Sequence, residues 1–240
     1  MVVKGKTLTL KEHWQKLMDE LRPMTPKKRL EHLWEYYKWV LGVLVIIGFI
    51  VALVVTSLIN LNTEVLVSGV LMNCDVDPEG FDYLSEGYYQ THKTEGKRQR
   101  VDITYRNYDD PETSEDPAFN YDALQSIMAM VAASALDYIM ADDVGMEAML
   151  MPDFWMDLRE LFTEEELAQM DDRVIKLVVE ETGEVIPMAL NITDSEFCKT
   201  YMASEKGSTY IMFSITTPRP EACREMYERI MVLEEVPHAQ

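Results

Sequence analysis

The sequence predicts an α/β domain that follows a single membrane-spanning helix, and two observations lead to this prediction. Residues 40–59 contain no charged residue, and about 20 apolar residues are needed to cross about 30 Å of hydrocarbon. Beyond them, apolar segments typical of strands alternate with amphipathic segments typical of helices. We therefore expect a membrane helix and a single lobe with a mixed, mainly parallel sheet.

Charge divides the chain into three parts. Residues 1–39 carry nine Lys or Arg against five Asp or Glu, a net charge of +4, and the residues after them carry 13 against 37, a net charge of -24. Positive charge beside a membrane helix stays in the cytoplasm. We expect a single-pass protein of the cell membrane, with residues 1–39 cytoplasmic, 40–60 transmembrane and 61–240 an extracytoplasmic domain. A cleaved signal peptide is the alternative, although its apolar core would have about twice the usual length.

The cytoplasmic part is predicted to contain a short amphipathic helix and the start of the membrane helix. Four apolar residues recur with helical spacing: Trp14, Leu17, Met18 and Leu21. This stripe fits either a helix that lies on the membrane or a docking site. Thr25 and Pro26 are suited to be the N-cap and first residue of a second helix, which we expect to continue unbroken into the span.

The outer domain begins with a predicted strand–helix–strand unit. Residues 65–74 form a run rich in Val and Leu that is typical of a buried strand. Asp77 and Pro78 then predict the N-cap and first residue of a helix that reaches about residue 89. Residues 100–105 alternate between apolar and polar side chains, which predicts the second strand.

A second helix and a third strand complete the predicted first half of the domain. The segment 109–117 combines Pro with five acidic residues and is predicted to be a solvated loop. Apolar residues with helical spacing predict a helix over 121–135, and a short apolar run predicts a strand at 136–140. The order strand, helix, strand, helix, strand is typical of a parallel sheet.

The second half of the domain is predicted to contain two helices, a hairpin and a last strand–helix unit. Residues 154–162 are predicted to be helical, and Thr163 with Glu166 forms a capping box that begins another helix. The remaining predicted elements are three strands and a helix, at 173–180, 183–192, 208–216 and 220–233.

The three cysteines, Cys74, Cys198 and Cys223, all lie in the predicted outer domain. An odd number allows at most one intrachain disulfide bond. A bond between Cys198 and Cys223 is one interpretation, and reduced, buried cysteines are the other.

Two sets of residues resemble known families. LKEHW at 10–14 and RPMTPKKRLEHLWEYYKW at 22–39 resemble a family of uncharacterised single-pass membrane proteins of clostridial-type Gram-positive bacteria. The segments 123–142 and 154–167 resemble part of the type 2 periplasmic solute-binding proteins. The resemblance implies a membrane-tethered, solute-binding-like lobe in a cell envelope. Solute-binding proteins usually close two lobes on a ligand, whereas about 180 residues suffice for only one. This difference favours a lobe that is used for contact with another protein.

Known catalytic motifs are absent from the sequence. It contains no GxSxG, HExxH, GxGxxG or GxxxxGK[ST] motif, and only His92 and His238 follow the predicted span. A histidine-based catalytic triad or a multi-histidine metal site is therefore poorly supported. We expect a protein without enzymatic activity. A hydrolase that uses two paired carboxylates is the alternative, because such pairs cannot be recognised in one sequence.

One segment matches the calcium-binding loop of EF-hand proteins. Its acidic ligand positions are occupied by Asp75, Asp77, Glu79 and Glu86. This spacing allows alternate oxygen atoms and a terminal carboxylate to surround one Ca²⁺ ion. Asp77 as the cap of a helix that begins at Pro78 explains the same residues without a metal. Calcium is the only cofactor that the sequence suggests.

A binding site in the outer domain is expected where strands end. Asn73, Tyr105 and Asp142 lie at the carboxyl ends of predicted strands, where α/β sheets place ligands. Asp142 and the adjacent Asp143 are also suitable N-caps for the next helix, which is the interpretation that we prefer. Asn73, Tyr105 and Asp142 are the candidate ligand-binding or partner-binding residues.

The charge of the outer domain limits its partners. A net charge of -24 repels phosphates, so nucleic acid is not expected as a partner. We expect a non-enzymatic, membrane-anchored module that contacts another envelope or membrane protein. The alternative is a small-molecule or ion-binding sensor or transporter accessory.

Overall fold

The computed structural model describes most of the chain. The described residues are 15, 19, 22–23, 25–109, 117–151, 153–179, 183–202 and 207–233. The chain divides into two compact units, Met1–Asn62 and Thr63–Gln240. Two predictions lie outside the described residues. They are the four residues of the apolar stripe within 14–21 and most of the loop at 109–117.

The described part of the first unit includes a long helix, α1 (Pro26–Leu61). It begins at the predicted proline and continues without a break through the apolar run, which confirms this part of the prediction. Within it, Lys38–Ile59 is long and apolar enough to cross a membrane by length and composition. Its described side chains are exposed.

The second unit is built on a six-stranded mixed sheet in the order β2-β1-β3-β6-β5-β4. The strands are β1 (Glu64–Met72), β2 (Gln99–Arg106), β3 (Tyr138–Ala141), β4 (Val174–Val178), β5 (Val185–Asn191) and β6 (Tyr210–Phe213). All six were predicted within a few residues of these bounds. The α/β class of the fold is confirmed.

The sheet is mostly antiparallel, and the prediction of a mainly parallel sheet is wrong. Strand β1 pairs in parallel with β2 and with β3, whereas β3–β6, β6–β5 and β5–β4 are antiparallel pairs. The first three strands were predicted to be parallel, and they are, but β6 enters between β3 and β5 and runs antiparallel to both. About 70 residues separate β3 from β6 in sequence, so the connection does not restrict the direction in which β6 enters.

The helices of the second unit are mostly short. They are α2 (Pro78–Asp82), a π-helical segment (Tyr83–Gly87), α3 (Tyr88–His92), α4 (Pro117–Ala132), α5 (Asp143–Met149), a 3-10 turn (Leu158–Glu160), α6 (Glu164–Gln169), α7 (Glu196–Tyr201) and α8 (Pro220–Met231). The predicted caps at Asp77 and the capping box at Thr163 are confirmed. The helix predicted over 154–162 is wrong, because only the 3-10 turn forms there.

Helices cover both faces of the sheet, which gives a three-layer domain. On the first face, α2, the π-helical segment, α3, α7 and α8 pack on side chains such as Leu71, Met140 and Phe213. On the second face, α4 and α5 pack on side chains such as Val70, Ile139 and Met212. Alternate residues of one strand therefore supply opposite cores.

A buried carboxylate fastens the amino end of β3. The side chain of Asp137 is fully buried and accepts hydrogen bonds from the Ser68 backbone N–H (2.6 Å), the Thr217 hydroxyl and Arg219 Nε (2.9 Å). The Asp137 carbonyl oxygen accepts from the Ser214 N–H at 2.8 Å. These bonds join β1, β3 and the segment that follows β6.

Candidate functional site

The candidate site lies between the carboxyl ends of β1 and β3. After β1 the chain turns to the first face of the sheet and forms α2, whereas after β3 it turns to the second face and forms α5. Two adjacent parallel strands whose following segments leave in opposite directions open a crevice between them. In open α/β sheets this crevice is the usual place for a ligand.

A cavity of about 250 Å³ occupies this crevice. Its lining comes from the segments after β1 and β3, from the segments around α7, and from the start of β6. The described lining residues are Asn73, Cys74, Asp75, Asp142, Thr193, Cys198, Lys199, Met202, Gly207, Ser208 and Thr209. The cavity thus combines carboxylates, an ammonium group, hydroxyl groups and sulfur-containing side chains.

Asn73 holds the two strand ends together. Its backbone has a φ of 55°, a left-handed conformation that Asn adopts more readily than most residues. Its side-chain amide donates to the Tyr108 carbonyl (2.7 Å) and to Asp142 (3.1 Å), and its side-chain oxygen accepts from the Tyr108 N–H (2.8 Å). The segments after β1, β2 and β3 are therefore joined through one side chain.

Asp142 lines the β3 side of the cavity, and the adjacent Asp143 holds the start of β6. Asp142 is the N-cap of α5 and accepts from the Gly145 N–H at 2.8 Å, which confirms the capping prediction. Asp143 accepts from the Ser208 N–H (2.8 Å) and from the Tyr210 hydroxyl (2.9 Å), which ties α5 to the start of β6.

Helix α7 supplies another part of the lining. Its N-cap is Ser195, whose hydroxyl accepts from the Cys198 N–H at 3.1 Å. An isolated antiparallel bridge between Val76 and Met202 fastens the end of this helix to the segment after β1. Burial raises the pKa of the Cys198 thiol, so this cysteine is a weakly acidic part of the lining.

Tyr105 does not belong to this cavity. Its ring stacks on Phe81 with the ring centroids 5.3 Å apart, and burial raises the pKa of its hydroxyl. It lines a separate, more open depression together with Arg106, Asn107 and Asp122. Of the three residues that the sequence suggested at strand ends, the structure therefore brings Asn73 and Asp142 together and leaves Tyr105 apart.

The four residues of the suggested calcium loop are spread from the loop after β1, through the cap and first turn of α2, to the π-helical segment. Asp77 accepts from the Gly80 N–H at 2.7 Å as the cap of α2, and Glu86 accepts from the Gln90 side chain. Asp75 lines the cavity, and Glu79 is exposed in the first turn of α2. Among the described residues, no three His, Cys, Asp or Glu side chains gather as a metal site would require. Calcium binding therefore gains no geometric support and stays a prediction.

The cysteines are buried and, within the described chain, no disulfide bond joins them. The structure thus agrees with the interpretation of reduced thiols rather than with a bond between Cys198 and Cys223. Burial raises the pKa of the Cys223 thiol to about 12, and the charge of Asp137 adds to this effect.

Sequence reasoning missed the part of the lining that follows β5. Helix α7 was not predicted, and the lining residues around it were therefore not predicted as site residues. They include Thr193, Lys199, Ser208 and Thr209. The available signal was Ser195, which is a favourable N-cap residue and is followed at once by Glu196.

Comparison of the chain with protein-family models, with curated proteins and with solved structures found no match. The two resemblances noted in the sequence therefore stay predictions.

Proposed function

We propose that this protein is a single-pass membrane protein whose extracytoplasmic α/β domain binds a small polar molecule between the ends of β1 and β3. The observation that carries the proposal is the position of the cavity. It lies at the crevice where two adjacent parallel strands send the chain to opposite faces of the sheet. The role is binding rather than catalysis, as in a sensor or a transporter accessory.

The size and lining of the cavity support a small ligand. At about 250 Å³ the cavity is slightly below the range typical of drug-sized ligands, about 300 to 1,000 Å³. Its polar lining includes the carboxylate of Asp142, the ammonium of Lys199 and the hydroxyl of Thr193. Such convergent polar groups fix the orientation of a bound molecule.

Two features support the membrane anchor and the orientation. Helix α1 contains a segment of membrane-spanning length and composition, Lys38–Ile59. The net charge is +4 before the apolar run and -24 after it, and positive charge stays on the cytoplasmic side. The domain and its cavity would then face the outside of the cell.

Ligand binding is tested by thermal unfolding of the full chain in detergent with a library of small polar molecules. A ligand at 100 times its Kd stabilises the folded state by about 2.7 kcal/mol, which raises Tm by about 5 to 10 °C for a domain of this size. We expect at least one such ligand. Ser208→Phe, which fills the cavity, should abolish the shift, whereas Ser126→Phe on α4 should preserve it. A library without any stabilising compound, or a shift that survives Ser208→Phe, would contradict the proposal.

Contact with another protein is a second candidate function, favoured by one exposed apolar pair. Val178 and Val185 face each other across the β4–β5 hairpin and are 57% and 48% exposed. Co-purification from native membranes should recover a stoichiometric partner, and Val178→Lys should release it. Recovery of the same partner with the variant would exclude this surface as the contact.

A further inference from the structure

The charged groups of the cavity come from different structural elements. The carboxylates of Asp75 and Asp142 belong to the segments that follow β1 and β3, whereas the ammonium of Lys199 belongs to α7. The residues that line the cavity therefore include both signs of charge. This arrangement favours a molecule that itself carries both signs.

Asp142 retains capacity to accept hydrogen bonds from a ligand. Its Oδ1 accepts from the Gly145 N–H (2.8 Å) and from the Asn73 amide (3.1 Å), and its Oδ2 accepts from the same amide at 3.2 Å. A carboxylate oxygen has two lone pairs. An ammonium group of a ligand can therefore bind at Oδ2 without displacing the helix cap.

Lys199 and Thr193 supply hydrogen-bond donors. The Lys199 ammonium has three N–H donors, and one of them reaches Glu196 at 3.4 Å. The Thr193 hydroxyl oxygen accepts from the Thr209 N–H at 2.9 Å, so its own hydrogen can point elsewhere. A ligand carboxylate is the group that an ammonium and a hydroxyl donor together would recognise.

We infer that the ligand is a small zwitterion, an amino acid or a related compound with one ammonium and one carboxylate group; this inference rests on the proposed function. The ligand ammonium binds Asp142, with the negative charge of Asp75 adding attraction, and the ligand carboxylate binds Lys199. Cys74, Cys198 and Met202 provide less polar lining for the carbon skeleton. The volume corresponds to about eight water-sized groups, which suits a molecule of this size.

Calorimetric titration of the full chain in detergent tests the ligand class with matched probes. The zwitterions are glycine, L-alanine, L-serine and L-glutamine. Ethylamine and propionate each keep one of the two charged groups of L-alanine, and glycerol is the neutral probe. We expect at least one zwitterion to bind about tenfold or more tightly than every single-charge probe, because each probe loses one charge-assisted hydrogen bond.

Two variants assign the two ends of the ligand. Asp142→Asn keeps a favourable helix cap but removes the charge, so it should weaken zwitterion binding about tenfold or more. Lys199→Gln should weaken it by a similar factor and leave ethylamine binding unchanged. Asp171→Asn and Lys176→Gln make the same changes outside the cavity, and we expect both to bind as the unaltered protein does.

The outcomes separate the ligand class from the existence of a binding site. If glycerol or a single-charge probe binds as tightly as the zwitterions, or if Lys199→Gln has no effect, the zwitterion inference is wrong and the cavity is still a binding site. The zwitterion inference is also wrong, and the cavity is still a binding site, if no zwitterion binds but another library compound does and Ser208→Phe blocks its binding. If no compound binds in the cavity, the proposed function itself fails.

Discussion

The two halves of the sheet are built by different connections. In the parallel half, β2-β1-β3, helices link consecutive strands across the faces of the sheet, whereas in the antiparallel half, β6-β5-β4, a hairpin links β4 to β5. The cavity lies on the parallel half and on its border with the antiparallel half. The difference teaches that this kind of crevice, at the carboxyl ends of adjacent strands, forms where parallel strands have connections that diverge, which a hairpin does not supply.

The halves also differ in how they use charge. At the border, Asp137 is fully buried and pairs with Arg219, whose side chain is 25% exposed. In the antiparallel half, Lys176 of β4 pairs with Asp171, and both side chains are exposed. A buried pair depends on both partners, because a single buried charge is strongly destabilising, whereas an exposed pair contributes little.

The largest expected effect comes from removing the buried charge. Asp137→Asn should lower the free energy of unfolding by about 3 to 5 kcal/mol, because Arg219 then loses its carboxylate partner in a largely buried place. Asp171→Asn makes the same change in the antiparallel half and should cost less than about 1 kcal/mol. Denaturant unfolding of the full chain in detergent measures both values. Equal losses in the two variants would remove the distinction between the halves.

A smaller effect is expected at the strand ends that form the cavity. Asn73→Gly should cost about 1 to 3 kcal/mol, because it removes the side chain that joins three strand ends but keeps the left-handed backbone accessible. Asn73→Ala should cost about 1 to 2 kcal/mol more, because a Cβ atom disfavours a φ of 55°.

The same denaturant series provides the control for Asn73. Asn191, at the end of β5, accepts one bond from the Thr193 N–H, so Asn191→Ala should cost about 1 kcal/mol. If Asn73→Ala were no more costly than Asn73→Gly, backbone strain at Asn73 would be unimportant.

The smallest effect concerns pH and an exposed ion pair beside the antiparallel half. Bonds from Arg224 and from the Thr163 cap lower the pKa of Glu166 to about 2. A carboxyl group with a lowered pKa stabilises the folded state above its ordinary pKa of 4.5, and this stabilisation is lost as the pH falls toward 2.

The Glu166→Gln variant isolates this contribution. At pH 7 its denaturant midpoint should be lower than that of the unaltered protein, and the difference should vanish near pH 2. Glu165→Gln, one residue away in the first turn of α6, should show no comparable pH dependence. A difference for Glu166→Gln that persisted at pH 2 would mean that the loss is not electrostatic.

The parallel half was the more predictable part of the fold. Strands β1 and β3 are apolar runs, β2 alternates between apolar and polar residues, and Asp77 with Pro78 marks the start of α2, so local patterns alone suffice. The direction of β6 could not be predicted, because it depends on pairing with strands that are distant in sequence. Helix α7 has only six residues, too few for a periodic pattern, and Lys199 was missed with it.

For the candidate site, sequence reasoning identified the place but only part of the lining. Asn73 and Asp142 follow strands, so their position at the sheet edge could be inferred. Tyr105 also lies near a strand end, but it faces Phe81 on the first face of the sheet. Which strand ends converge on one crevice depends on strand order, and strand order cannot be read from local patterns.

The central claim is that the cavity of a membrane-anchored domain opens to the outside of the cell, and labelling of one introduced cysteine tests it most directly. Ser208→Cys places a thiol on the cavity wall, while the native cysteines are buried. A membrane-impermeant maleimide should label this variant in intact cells, leave the unaltered protein nearly unlabelled, and react more slowly when a cavity ligand is present. Labelling that occurs only after the cells are lysed would contradict the claim.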